Sequence, residues 1–138
     1  MFDRFLIAQE GVYPQALAEL RAGQKRSHWM WFIFPQIAGL GQSATSRRFA
    51  LSSLAEAREF SDHLVLGERL RRCTSAVLEA SARPEGPDVS AIFGAPDDLK
   101  FHSSMTLFSR AAPHEAVFRR ALVTLFAGVE DIETIKRI

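Results

Sequence analysis

The chain of 138 residues contains one cysteine, Cys73, so no disulfide can form within it. A lone cysteine fits a reducing compartment, and we expect a cytoplasmic protein in which Cys73 is a small buried side chain. No run reaches the roughly 18 apolar residues that a bilayer-spanning helix needs. Residues 1–10 include acidic side chains and no cleavage pattern, so we expect no signal peptide.

The sequence also lacks a large excess of charge of either sign, because the formal net charge is only +1. The basic pairs Lys25/Arg26, Arg47/Arg48 and Arg71/Arg72 are scattered along the chain. A protein that holds nucleic acid usually gathers such charges on one face. The sequence therefore disfavours a nucleic-acid partner, and nothing in it indicates a membrane partner.

Metal and phosphate motifs are absent as well. The four histidines (His28, His63, His102 and His114) form no HExxH pattern and have no cysteine at ligand spacing. The segment "AGLGQSATS" has two glycines but lacks the P-loop pattern GxxxxGK[ST]. It could still present backbone N–H groups to an anion, with Ser43, Arg47 and Arg48 close by. We expect no metal and no cofactor.

Helical periodicity dominates what remains and predicts an all-α single domain over residues 1–138, a bundle of roughly seven to nine mostly short helices. We expect N-caps at Asp3, Ser27, Ser53 and Asp88, with Glu56 completing a capping box. Leu66, Leu70, Cys73 and Val77 predict the buried stripe of a helix over residues 63–82. Further helices are predicted over residues 28–34, 97–110 and 113–126, and residues 35–46 are predicted to form an ordered loop.

The sequence "SHWMWFIFPQ", residues 27–36, concentrates both tryptophans of the chain in ten positions. Aromatic side chains bury about 150–250 Å² each, which makes a place in the core the default interpretation. The same residues could also form one wall of a pocket, in which an indole stacks on a flat ring and basic groups hold an anion. Both interpretations stay open at this point.

A second dense segment, "GAPDDLKFHSSMTLF", covers residues 94–108. On a helix, Asp97, Lys100, Ser104 and Phe108 fall near one face, and Ser103 lies beside it. A desolvated lysine next to a serine can take its proton and make it a nucleophile. The alternative is an ordinary Asp97–Lys100 ion pair, with serines bonded to helix carbonyls.

These two segments, together with "LGERL" and "VFRRAL", resemble the bacterial domain-of-unknown-function family 1810, whose members are sometimes mislabelled calpastatin. The resemblance covers nearly the whole chain and implies a compact all-α domain, but no known activity. Calpastatin itself is a disordered repeat protein, whereas this sequence is apolar enough to fold into a compact core.

The resulting hypothesis is a pocket between the two segments that binds a small anionic, aromatic, nucleotide-like ligand. The ligand-binding candidates are Lys25, His28, Trp29, Trp31, Gln36, Lys100 and Ser104. The candidates for proton transfer or nucleophilic catalysis are His28, Lys100, Ser103 and Ser104, and whether the protein is an enzyme stays open. The alternative function is a protein–protein interaction module without catalytic activity, with a patch of exposed Trp or Phe side chains; both indoles would then be exposed.

Overall fold

Ten α-helices and no β-strand make up the chain, which a computed structural model describes from residue 1 to residue 138. In chain order they are α1 Asp3–Gln9, α2 Tyr13–Ala22, α3 Met30–Ile33, α4 Ala44–Phe49, α5 Leu54–Asp62, α6 Leu66–Ala82, α7 Val89–Phe93, α8 Asp97–Ala111, α9 Ala116–Phe126 and α10 Ile132–Ile135. One isolated parallel bridge joins Ile37 to Leu51. The all-α prediction is confirmed, with ten helices instead of seven to nine.

The two longest helices, α6 and α8, form the centre of the bundle. α2, α5 and α9 pack on α6, while α5, α7, α9 and α10 pack on α8. The predicted stripe on α6, Leu66, Leu70, Cys73 and Val77, is buried. α8 is buried around most of its circumference, which is typical of a helix with neighbours on several sides. A cluster of 33 buried apolar side chains unites these helices.

Helix α4 begins inside the predicted loop: its residues 44–46 fall within the range 35–46, and it continues to Phe49. Its N-cap is Ser43, whose hydroxyl accepts a hydrogen bond from the backbone N–H of Ser46 at 3.1 Å. Phe49 at its other end packs against Phe32 and Phe5, with ring centroids 5.3 and 5.6 Å apart. Six residues are too few for a stable isolated helix, so the tertiary packing of Phe49 stabilises α4.

The starts of α1 and α6 differ from the predicted ones, and the start of α5 is as predicted. Phe2, and not Asp3, is the N-cap of α1. α6 begins at Leu66 because the His63 ring nitrogen Nδ1 accepts from the backbone N–H of Leu66 at 3.1 Å. The prediction for Ser53 is confirmed: its hydroxyl accepts from the N–H of Glu56 at 3.0 Å.

The Asp88 cap is confirmed too, since a side-chain oxygen of Asp88 accepts from the N–H of Ala91 at 2.8 Å. α9 starts at Ala116, three residues after the predicted Pro113, and ends at Phe126 as predicted. None of the ten helices combines the length and the apolar character that a membrane crossing requires.

Candidate functional site

Residues 27–36 are held in place by one buried carboxylate, that of Glu19 on α2. It accepts hydrogen bonds from the backbone N–H groups of Arg26 and Ser27, at 2.8 and 3.0 Å, and from the Ser27 hydroxyl at 2.6 Å. The indole Nε1 of Trp29 and the amide of Gln15 each donate at 2.9 Å. Burial acts to raise the pKa of the Glu19 carboxyl, but these hydrogen bonds outweigh it and lower the pKa to about 2.

This arrangement corrects the prediction that Ser27 caps a helix over residues 28–34. The helix α3 is only four residues long, Trp29 occupies its N-cap position, and no side chain caps it. The Ser27 hydroxyl is committed to Glu19 instead. The sequence analysis did not select Glu19. The feature that could have identified it is a carboxylate between Leu17 and Leu20 on the apolar side of α2.

Trp29 belongs to the core. Its side chain is fully buried, its ring lies 6.3 Å from that of Phe34, and the Lys25 ammonium lies 5.0 Å from its ring centroid. With its N–H bonded to Glu19, the indole has no exposed face to offer a ligand.

Asp97, the first residue of α8, is shared by two lysines. Its carboxylate lies 2.8 Å from Lys25 Nζ and 3.4 Å from Lys100 Nζ. The Lys25 side chain is only 8% exposed and also donates to the Ser27 carbonyl, whereas the Lys100 side chain is 22% exposed. Two ammonium groups on one carboxylate leave one positive charge uncompensated, and Lys100 is the more accessible carrier.

Lys100 and Trp31 bring the two sequence segments together. The Lys100 ammonium lies 4.5 Å from the centroid of the half-buried Trp31 ring, within the range of a cation–π interaction. Phe34 of the first segment also packs edge-on against Phe101 of α8 at 5.0 Å. The predicted meeting of residues 27–36 with α8 is therefore present in the fold.

Two adjoining spaces open beside this pair. The first, which we call the Trp31 cavity, holds about 160 Å³ and is lined by Trp31, Gln36, Ile37, Ala38, Gly39, Gly41, Ser46, Arg47, Phe49 and Ala50. The second, the Lys100 cleft, holds about 250 Å³ and is lined by Gln36, Leu40, Gly41, Ser46, Pro96, Leu99, Lys100, Ser103, Asp131 and Glu133. Gln36, Gly41 and Ser46 line both, so the two spaces share a border.

The Trp31 cavity contains no acidic side chain, and Arg47 is its single charged residue. Arg47 makes one side-chain hydrogen bond, a long one of 3.4 Å to Gln42. The Lys100 cleft contains two carboxylates, of which only that of Glu133 has cationic partners. Asp131 accepts from Ser103 at 3.0 Å and from the Thr134 hydroxyl at 2.6 Å. Glu133 pairs with Lys136 and Arg137.

The two candidate serines of α8, Ser103 and Ser104, differ in their hydrogen bonding. The Ser103 hydroxyl bonds to the Leu99 carbonyl at 3.1 Å and to Asp131. Ser104 is fully buried, and its hydroxyl has no partner. No hydrogen bond joins Lys100 to either serine, and Lys100 makes the Asp97 ion pair that was the alternative prediction. The geometry of a Ser–Lys nucleophile is not formed here.

The remaining predicted residues divide between the site and the surface. Gln36 lies at the border of the two spaces. His28 is exposed and lines neither of them. Lys25 is connected to the site through its ion pair with Asp97. The sequence placed Arg47 near a possible anion-binding loop, but neither Arg47 nor Phe49 was among the candidate site residues, because only the turn into α4 brings them to the same cavity as Trp31. No group of three or more histidine, cysteine, aspartate or glutamate side chains is arranged to hold a metal ion.

The indoles do not form an exposed patch. Trp29 is fully buried, and Trp31 is half-buried with its Nε1 inaccessible and without a hydrogen-bond partner. The interaction-module hypothesis required both indoles on the surface, so the structure removes the feature on which it depended.

Comparison with known proteins agrees with this fold. A model of the family described as "Protein of unknown function (DUF1810)" matches residues 1–138, the whole chain. The chain is 46% identical to the conserved hypothetical protein Rv1873 from Mycobacterium tuberculosis, whose crystal structure superposes with a TM-score of 0.91. The match covers 98% of this chain and 94% of the other. The search of curated proteins gives no match.

Proposed function

This chain belongs to the DUF1810 family of proteins of unknown function, and we propose that it binds a small anionic ligand with an aromatic ring where the Trp31 cavity meets the Lys100 cleft. The single buried cysteine, Cys73, is consistent with a cytoplasmic setting for this binding.

The observation that carries the proposal is the sharing of Asp97 between Lys25 and Lys100. Lys25 is the closer partner and is nearly buried, so it neutralises Asp97 without help from Lys100. The Lys100 ammonium is therefore free to exchange its longer contact for a ligand anion while Asp97 keeps its ion pair with Lys25. Arg47, on the Trp31 cavity, is a second cation without an acidic partner.

The side chains of Trp31, Ile37 and Phe49 favour an aromatic group in the ligand. These side chains supply an apolar wall to a space that carries few polar groups. Sites for small organic ligands commonly enclose about 300–1,000 Å³ and combine an apolar lining with a few polar groups. Neither space reaches that size by itself, but the two do so together across their common border.

We propose binding without a covalent step. The hydroxyl groups of Ser103 and Ser104 are engaged or buried, and His28 lies away from both spaces. In this arrangement Trp31 contacts the ring of the ligand, while Lys100 and Arg47 hold its charge. Lys25 acts as a positioning residue that keeps Asp97 neutralised.

The test is isothermal titration calorimetry against nucleoside monophosphates and aromatic carboxylic acids. For a compound that binds, Lys100→Met is expected to lower the affinity about tenfold or more, the loss of one charge-assisted contact. Trp31→Leu keeps apolar bulk but removes the ring face, and an effect of about tenfold is expected.

The matched control is Arg58→Met. Arg58 is an exposed cation that pairs with Asp62, and neither residue lines either space, so its loss should leave the affinity unchanged. Absence of binding to every compound of the panel contradicts the proposal. So does a bound compound whose affinity is the same in the Lys100, Trp31 and Arg58 variants.

A further inference from the structure

A second charged feature lies on another face, in the groove between α2 and α6. It consists of two neighbouring hollows of about 260 Å³ each, which share Arg21, Ala76 and Glu79. Their lining is Arg21, Glu68, Arg71, Arg72, Ser75, Ala76, Glu79, Ala80 and Arg83. We call this the arginine groove. It shares no residue with the Trp31 cavity or the Lys100 cleft.

The tertiary structure gathers these arginines from separate parts of the sequence. Arg21 is in the last turn of α2, Arg71 and Arg72 are in the middle of α6, and Arg83 is the residue that ends α6. Arg83 lies against Gly23, where an added Cβ would be 3.0 Å from its guanidinium. Of the basic pairs noted in the sequence, only Arg71/Arg72 lies in the groove, where Arg21 and Arg83 join it.

The pairing of the four guanidinium groups is uneven. Arg71 bonds to the Ser61 carbonyl at 3.0 Å and lies 3.7 Å from Glu115. Arg83 bonds only to the Ala80 carbonyl, at 3.3 Å. Arg21 and Arg72 make no side-chain hydrogen bond and no salt bridge, so their donors are free.

The positive potential of these arginines also affects two neighbouring titratable side chains, Cys73 and Tyr13. Burial raises the pKa of the Cys73 thiol to about 12, and Arg72, Arg21 and Arg69 oppose that rise. The same three arginines oppose the increase that burial causes in the pKa of Tyr13. Three guanidinium groups therefore act on one small region of the α2–α6 contact.

We propose that the arginine groove binds the phosphate group of a small phosphorylated molecule. Arginine presents several N–H donors in a planar fork that matches phosphate oxygens, and such charge-assisted bonds are among the strongest in proteins. Arg21 and Arg72 are the primary contacts. The Ser75 hydroxyl is in the same lining, and the small side chains of Ala76 and Ala80 leave room for the ligand.

The rest of the lining limits what else the groove accepts. It contains no aromatic side chain on which bases could stack, in contrast to single-strand binding surfaces. Glu68 and Glu79 would repel successive phosphates of a longer polyanion, and the net charge of the chain is only +1. These features favour one phosphate group on a small molecule over a nucleic acid.

Inorganic pyrophosphate is the probe for the test, with binding followed by calorimetry on the full chain. Saturable binding is expected, with a loss of about tenfold or more in affinity in Arg21→Gln and in Arg72→Gln. Arg58→Gln is the matched control, because Arg58 is equally exposed but pairs with Asp62 on α5 outside the groove. Circular dichroism of each variant confirms that it is folded.

Three outcomes overturn the proposal: no saturable binding of pyrophosphate, equal affinities in the Arg21, Arg72 and Arg58 variants, or a comparable loss in Trp31→Leu. Co-sedimentation with phosphatidylglycerol vesicles identifies a lipid as the source of the phosphate. We expect none, because the groove has no large apolar side chain for a lipid tail. Co-sedimentation that is lost in the Arg21 and Arg72 variants would overturn the assignment to a small molecule.

Discussion

The indole Nε1 of Trp29 donates a 2.9 Å hydrogen bond to Glu19 Oε1, and both side chains are buried. This bond links α2 to the start of α3, and the same carboxylate holds the backbone of Arg26 and Ser27. Trp31, two residues after Trp29, borders the candidate site. The position of the site wall therefore depends on a carboxylate outside the site.

Replacing Glu19 tests this dependence. Glu19→Gln keeps the shape of the side chain but removes its charge and one acceptor oxygen, so at least one buried donor loses its partner. Hydrogen bonds to charged groups contribute about 1.5–3 kcal/mol, and we expect the free energy of unfolding to fall by about that amount. Urea denaturation measures the change.

The control for this substitution is Glu79→Gln, at an exposed position of α6 that makes no hydrogen bond. It should change the stability by less than about 0.5 kcal/mol. If Glu19→Gln were as mild as Glu79→Gln, the anchoring role of Glu19 would be refuted.

The pH dependence of stability follows from the same carboxylate. The pKa of Glu19 is lowered in the folded protein from 4.5 to about 2, so folding favours the ionised form. The stability it contributes is fully present above pH 4.5 and is lost as the pH falls toward about 2. On the scale of 1.36 kcal/mol per pKa unit, this contribution is roughly 3 kcal/mol.

Chemical denaturation at a series of pH values from neutral to acidic checks this expectation. The wild-type protein should lose stability more steeply below pH 4.5 than Glu19→Gln, which has no proton to bind at this position. Parallel curves for the two proteins would show that Glu19 is not the responsible group.

The loop between Gly39 and Ser46 provides a steric test of the site. A Cβ at Gly41 would lie 2.5 Å from both Cβ and Oγ of Ser46, a distance that real side chains do not adopt. Gly41→Ala should therefore displace the border shared by the two spaces. We expect a loss of about 1–3 kcal/mol in stability, as in overpacked cores, together with weaker binding of any ligand found.

The rescue experiment uses the double variant Gly41→Ala with Ser46→Gly. Removal of the Ser46 side chain leaves only its Cα near the new methyl group, at 3.9 Å. The double variant should regain ligand affinity relative to Gly41→Ala, although a glycine in α4 costs about 1 kcal/mol of stability. A double variant that binds no better than the single one would show that the clash does not shape the site.

Ser104 offers a prediction of opposite sign. Its hydroxyl is fully buried and has no hydrogen-bond partner, so it bears the cost of desolvation without compensation. Ser104→Ala removes that polar group and leaves nearly the same volume. We expect the free energy of unfolding to stay the same or to rise by about 1 kcal/mol, with ligand affinity unchanged.

Thermal unfolding and calorimetry measure both quantities for Ser104→Ala. The comparison variant is Ser103→Ala, which breaks the hydrogen bond to Asp131 and should lower the stability by about 1 kcal/mol. A loss of ligand affinity in Ser104→Ala without a loss of stability would restore Ser104 as a functional residue.

Local patterns account for the parts of the fold that the sequence predicts well. The stripe from Leu66 to Val77 repeats with the period of a helix, and the Ser53 and Asp88 caps bond within three residues of their own position. Gly94 at the C-cap of α7 is a local feature of the same kind. Such features need no knowledge of distant parts of the chain, because their partners are neighbours in sequence.

The candidate site depended on the tertiary structure for the opposite reason. The sequence indicated that residues 27–36 and α8 could form one wall each. Trp31 and Lys100 do line the two adjoining spaces, with Gln36 at their border. It could not show that Trp29 would be buried with its indole N–H bonded to Glu19, nor that Asp97 would be shared by Lys25 and Lys100.

What the sequence by itself determined is therefore the helical class, several helix caps and ends, and the two segments that meet. Which indole is accessible, which lysine is free, and that four arginines share one groove were decided only by packing between helices. Hydrogen bonds and ion pairs between residues far apart in the chain leave no periodic trace in the sequence, because their geometry exists only after α2, α6 and α8 have packed.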